Sequence, residues 1–160
     1  MTHILLCGFQ GVGKSFYGRR AAERLERPFF DVDEEIEKLH GVPVRELYFR
    51  FGEKKFRDEE EKVVLQLIKE KPALIALGGG SLERSGKTIS AAGLLIYLFR
   101  PYEELVENLK RRPLPAYLER LEDFQALFTA RHALFQNWAR RVLLLHQKSD
   151  EEIIEAICGK

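Results

Sequence analysis

Gly8-Phe9-Gln10-Gly11-Val12-Gly13-Lys14-Ser15 sets glycines, a lysine and a hydroxyl at the spacing G-x-x-x-x-G-K-[ST]. Each residue type serves the binding of a polyphosphate. Glycine lacks a Cβ, so successive backbone N–H groups can close around phosphate oxygens. Lys14 supplies a mobile cation for the β- and γ-phosphates, and the Ser15 hydroxyl supplies an oxygen for the Mg²⁺ that accompanies them. The pattern carries weight only between a strand and a helix. Both are present: His3-Ile4-Leu5-Leu6-Cys7 is an apolar run suited to a buried strand, and residues 14–25 read as a helix with Phe16, Ala21, Ala22 and Leu25 among arginines.

Three further stretches bear chemistry. Pro28-Phe29-Phe30-Asp31-Val32-Asp33 reads as an aromatic strand ending in two carboxylates one residue apart. On extended backbone Asp31 and Asp33 point to the same side, at the strand end where open α/β sheets bind ligands. The competing reading makes Asp33 the N-cap of a helix over residues 34–39 and Asp31 a turn residue. A phosphoryl transferase favours the first, because it needs one carboxylate near the metal and another group to accept the proton of the attacking hydroxyl.

The apolar run over residues 72–77 leads into Gly78-Gly79-Gly80, which signals close backbone approach, either by a ligand resting on bare amides or in a turn. No Asp ends that run, so a metal carboxylate must come from Asp31 or Asp33. Lys110-Arg111-Arg112-Pro113-Leu114-Pro115-Ala116 concentrates three cations and two prolines. This is an exposed loop or, in a kinase, a mobile lid whose arginine meets the transferring phosphoryl group.

The elements that must position these groups alternate along the chain. Apolar residues at helical spacing place helices over residues 44–51, from the Gly52 turn to about 69, 102–110, 121–140 and 151–158, the last opened by Ser149 as N-cap. Further strands fall at 94–99 and 142–145. The expected architecture is a three-layer α/β/α sandwich around a five-stranded parallel sheet, one domain over residues 1–160. Trp138 reads as core, and His3, His40, His132 and His146 lack metal-ligand spacing and read as structural.

The 160 residues are 45% apolar and 32% charged with a formal net charge of +1, so no charge field argues for nucleic acid as a partner. Two cysteines make no disulfide framework, and no apolar run reaches membrane-spanning length. With the phosphate motif so close to Met1 there is no room for a targeting peptide, and a cytoplasmic location is expected.

Taken together, the chain resembles the shikimate kinases over nearly its whole length. The resemblance rests on the P-loop Gly8 to Ser15, Asp31 and Asp33 in F-x-D-x-D, Gly52 to Glu60 as G-E-x-x-F-R-x-x-E, the triple glycine, and Arg112-Pro113-Leu114 followed by Arg131. It implies transfer of the ATP γ-phosphoryl group to the 3-hydroxyl of shikimate, on the route to chorismate and aromatic amino acids, by a P-loop NTPase-type fold working as a monomer. It further implies that Gly11, Val12, Gly13, Lys14, Ser15, Phe16 and Arg112 bind ATP, with Ser15, and Asp31 through water, on Mg²⁺. Arg57, Arg131 and Gly78 to Gly80 would hold the substrate carboxylate, and Glu60 would orient Arg57. Asp33 would bind the hydroxyls and act as base, Lys14 and Arg112 would neutralise charge on the transferring group, and a lid over about residues 112–122 would exclude water. Residue physics alone singles out neither Arg57 nor Glu60, which sit in a charged helix that reads as a solvated face. The rivals are a P-loop kinase acting on gluconate or a nucleoside monophosphate, against which F-R-x-x-E with the triple glycine argues, and a nucleotide switch, against which the lack of any N-K-x-D argues.

Overall fold

In the computed structural model, which describes residues 1–159, five parallel strands form one sheet in the order β2-β3-β1-β4-β5. The strands are β1 (His3–Cys7), β2 (Phe29–Asp31), β3 (Leu74–Ala76), β4 (Gly93–Phe99) and β5 (Arg141–Leu144). The central strand β1 is buried at every position and pairs with β3 on one side and β4 on the other. That burial explains its uninterrupted apolar run, because a parallel strand covered by helices on both faces has no solvent side.

The helices are α1 (Lys14–Arg24), α2 (Val32–His40), α3 (Val44–Leu67), α4 (Ser81–Ala91), α5 (Tyr102–Lys110), α6 (Phe124–Trp138) and α7 (Asp150–Cys158), with a 3₁₀ turn at Leu121–Asp123 before α6. The sandwich expected from the alternation is therefore present. Gly52, at φ 82° and ψ 170°, breaks α3 into the two helical pieces anticipated on either side of it. Ser149 caps α7 through a capping box with Glu152, and Trp138 packs against Gly86, where a Cβ would overlap its indole ring.

Two local readings change. The segment after the triple glycine forms α4, which its residue types do not announce. Its Ser81, Ser85 and Gly86 are poor helix formers, and burial of Leu82 and Ile89 against the body of the protein holds the segment helical regardless. The second change concerns the carboxylate pair. The strand ends at Asp31 and does not continue to Asp33: Asp31 is the N-cap of α2, accepting hydrogen bonds from the Asp33 and Glu34 amides at 2.9 and 3.3 Å, and Asp33 lies in the first helical turn. The two carboxylates owe their closeness to a strand-to-helix corner. A short polar side chain that satisfies two orphan amides ends the strand earlier than the alternation of residues indicated.

Candidate active site

The carboxyl ends of β1, β2 and β3 open onto one cavity of about 620 Å³, walled by the phosphate loop, by Asp31 and Asp33, by Tyr48, Phe56, Arg57 and Glu60 of α3, by Gly78 and Gly79, and by residues 112–117. Ligand clefts of open α/β sheets lie at this end of the strands.

On the loop side, Gly11 and Gly13 take φ of 80° and 109°, conformations that a side chain would strain. Gly13 precedes the first residue of α1, so the loop delivers the chain directly into a helix N-terminus. Lys14 Nζ donates to the Gly8 and Phe9 carbonyls at 2.7 and 3.1 Å. Burial pulls its pKa below the ordinary lysine value, with Asp33 and Asp31 opposing that pull. The Ser15 hydroxyl donates to Asp31 Oδ2, so the two oxygens expected on a divalent cation already meet. Phe16 lines the cavity mouth under the Arg20 guanidinium, 3.7 Å from its ring centroid. Val12 instead turns inward, fully buried, and its N–H is taken by the Phe9 carbonyl at 3.2 Å. Phe9 anchors the loop from beneath, stacked on Phe128 at 5.0 Å and edge-on to Phe124 and Phe135, all three on α6.

Asp33 stands between the two halves of the cavity. Burial pushes its carboxyl up to about 7, helped by the neighbouring Asp31 and Glu60 and opposed by Lys14 and Arg57. A carboxyl poised near neutrality is matched to proton transfer at that pH.

On the side of Gly78 and Gly79 the charged helix beginning at Gly52 is no solvated face where it meets the glycines. Arg57 and Glu60 are buried, and Arg57 Nη1 donates to Glu60 Oε1 at 2.9 Å. Arg57 Nε and Nη2, Glu60 Oε2 and Ser81 Oγ are buried without a hydrogen-bond partner. Buried donors of a guanidinium left open in this way are a binding offer, since leaving them unmet in a finished site is costly.

The triple glycine acquires a specific reason here. A Cβ on Gly78 would strike Glu60 Oε2, one on Gly79 would lie 2.8 Å from Arg131 Nη1, and one on Gly80 would lie 2.5 Å from Arg57 Cζ. The run is bare because three charged side chains pass over it.

Arg131, from α6, is buried and donates through Nε to Glu83 Oε1 at 3.0 Å. It stands behind the cavity wall, its guanidinium 4.7 Å from the Tyr117 ring centroid. Gly80 likewise sits behind the wall, under Arg57, while Gly78 and Gly79 reach it.

The basic segment lies across the cavity as a lid. Arg112 Nη1 comes within 3.2 Å of the position a Gly11 Cβ would occupy, which sets its guanidinium on the phosphate loop. The Leu114 carbonyl accepts from Arg45 Nη1. Arg45, Tyr48 and Tyr117 are wall residues that the sequence does not mark as site residues. Tyr48 sits at apolar helical spacing, a signal indistinguishable from core packing, and Tyr117 lies inside the expected lid but outside the charged run that marked it.

A nucleotide-phosphate loop, a lid arginine above it, and a carboxylate between that loop and a buried cation define the class: a P-loop small-molecule kinase. The family model for shikimate kinase matches residues 10–160. The shikimate kinase of Bradyrhizobium diazoefficiens is 34% identical, the match covering 98% of this chain and 82% of that protein. That of Bartonella henselae is 31% identical over 96% of this chain and 75% of its own. A solved structure of shikimate kinase from Acinetobacter baumannii in complex with shikimate superposes with a TM-score of 0.88 at 28% identity, covering 98% of this chain and 90% of that one. The chain belongs to the shikimate kinase family.

Proposed function

We propose that the chain transfers the γ-phosphoryl group of ATP to the 3-hydroxyl of shikimate, giving shikimate 3-phosphate and ADP. One observation carries the reading of the acceptor: a buried guanidinium with two open donors, Arg57 Nε and Nη2, opens onto the same cavity as Asp33 and Lys14. The planar fork matches a carboxylate edge, which shikimate provides. Arg131 adds a second cation behind Tyr117 and Gly79.

With the carboxylate held there, the acceptor's hydroxyls face Asp33. Asp33 accepts the proton of the 3-hydroxyl as its oxygen bonds to the γ-phosphorus and the bond to the ADP oxygen breaks. Lys14, released from the loop carbonyls that hold it, meets the β- and γ-phosphates, and Arg112 approaches the transferring group from the lid side. Backbone amides of Gly11 and Gly13 and the N-terminus of α1 complete the cradle.

Ser15 and Asp31 fit a hard divalent cation in their oxygen chemistry. This agrees with Mg²⁺ shared between one or two protein oxygens, water and phosphates. Mg²⁺ held there would neutralise phosphate charge. The helices of the described residues include none long and apolar enough to cross a membrane. We take the enzyme to be a cytoplasmic monomer of a single domain.

A coupled ADP-release assay over a panel of hydroxy acids tests the reading. Turnover of shikimate, with gluconate and nucleoside monophosphates inert, is the expected result. Turnover of gluconate alone, or nucleotide binding that shikimate does not accelerate, would overturn it.

A further inference from the structure

Tyr117 touches both ends of the cavity. Its ring centroid lies 4.7 Å from Arg131 Cζ and 5.8 Å from Arg57 Cζ, and its hydroxyl donates to Gln10 Oε1 of the phosphate loop at 3.5 Å. The residue is set firmly. Its neighbour Leu118 is buried in the core and donates its N–H to the Pro115 carbonyl at 3.0 Å, and Pro115 is buried as well.

The contact geometry is selective. A guanidinium binds carboxylates along its N–H edge and packs on aromatic rings through its face. Glu60 takes Arg57 Nη1 and Glu83 takes Arg131 Nε, both edge contacts, and the ring lies beside both guanidinium groups. Arg57 Nε and Nη2 stay open. Burial raises the phenol pKa, so the ring stays neutral across the working range.

We propose that Tyr117 is a positioning residue that fastens the lid to the acceptor-binding arginine pair, so that lid closure and the aim of Arg57 toward the acceptor carboxylate are one event. This rests on the shikimate kinase reading for its acceptor but not for its lid contact, and the two can be tested apart.

Tyr117→Leu keeps apolar volume and removes the π face, and Tyr117→Phe keeps the face and removes the hydroxyl. In the free full-length chain, limited trypsin digestion at Lys110-Arg111 and Arg111-Arg112 reads lid anchoring without any substrate. The Leu variant should be cut about 5- to 30-fold faster than the unaltered chain, the loss expected for one or two partly buried cation–π contacts, and the Phe variant should be cut within twofold of it. With shikimate, the Leu variant should raise the acceptor KM by a similar factor with kcat within about threefold and the ATP KM within twofold, and the Phe variant should restore it. A Leu variant cut at the unaltered rate, or a Phe variant as impaired as Leu, would overturn the proposal. Absence of shikimate turnover in the unaltered chain would instead overturn the assigned reaction, while the digestion result would still decide the role of Tyr117.

Discussion

Arg57 and Glu60 face each other on adjoining turns of α3, joined at 2.9 Å, and both are buried. The pair is only half satisfied, since Arg57 Nε and Nη2 and Glu60 Oε2 find no partner within the protein. A buried ion pair of this kind does little for stability and much for orientation, because its charges are desolvated before any ligand arrives.

Removing one partner exposes that arrangement. Glu60→Ala leaves a buried guanidinium without its counter-charge and should cost about 3–5 kcal/mol in urea unfolding. Arg57→Ala should raise the shikimate KM roughly a hundredfold, as lost charge-assisted hydrogen bonds imply, and leave the ATP KM within about twofold. Steady-state kinetics with each substrate varied checks the split.

Gly80→Ala tests the reason for the bare backbone. The new Cβ would lie 2.5 Å from Arg57 Cζ, and the side chain can swing aside while the backbone stays. The expected outcome is a folded protein with circular dichroism unchanged and the shikimate KM raised about tenfold or more, about what one misaligned charge-assisted hydrogen bond costs.

Asp33→Asn should lower kcat by about 10²–10⁴, the usual contribution of a general base, with ATP affinity nearly unchanged. Retained activity would remove Asp33 from that role.

The same substitution has a pH-dependent effect on stability. The folded pKa of Asp33 is raised from 3.8 to about 7, so the folded state holds the proton more tightly than the unfolded chain. Below pH 3.8 both states are protonated and the residue costs nothing. Stability is lost as pH rises toward 7, and above 7 the cost is constant, at most about 4 kcal/mol. In metal-free buffer Asp33→Asn should therefore raise Tm at pH 8, and the difference should vanish near pH 4.

Phe9→Ala should destabilise the fold by about 3–5 kcal/mol, because its ring meets three phenylalanines of α6 beneath the phosphate loop. It should also raise the ATP KM, since the loop loses its anchor. Urea unfolding and nucleotide titration measure the two effects.

Local rules made much of this protein legible in its sequence. The phosphate loop between a buried strand and a helix, the alternation that builds a parallel sheet, and the Ser149 cap follow from residue type and spacing over short distances, where backbone sterics and apolar periodicity act directly. The helix over residues 81–91 was not legible, because its stability comes from packing Leu82 and Ile89 and its own residues favour a turn. The corner at Asp31 escaped for a related reason: whether a carboxylate continues a strand or caps a helix depends on which amides it meets.

The Gly8 to Ser15 loop thus declared from sequence alone that a nucleotide phosphate is held, and motif resemblance added the acceptor. Only the tertiary structure decided why Gly78 to Gly80 are bare and why Arg57 is buried with open donors. It also decided that Arg131 stands behind the ring of Tyr117. These relations join residues as far apart in sequence as Gly79 and Arg131. Their physical content, desolvation, collision with an absent Cβ and the face of one guanidinium against one ring, exists only once the chain has brought those groups together.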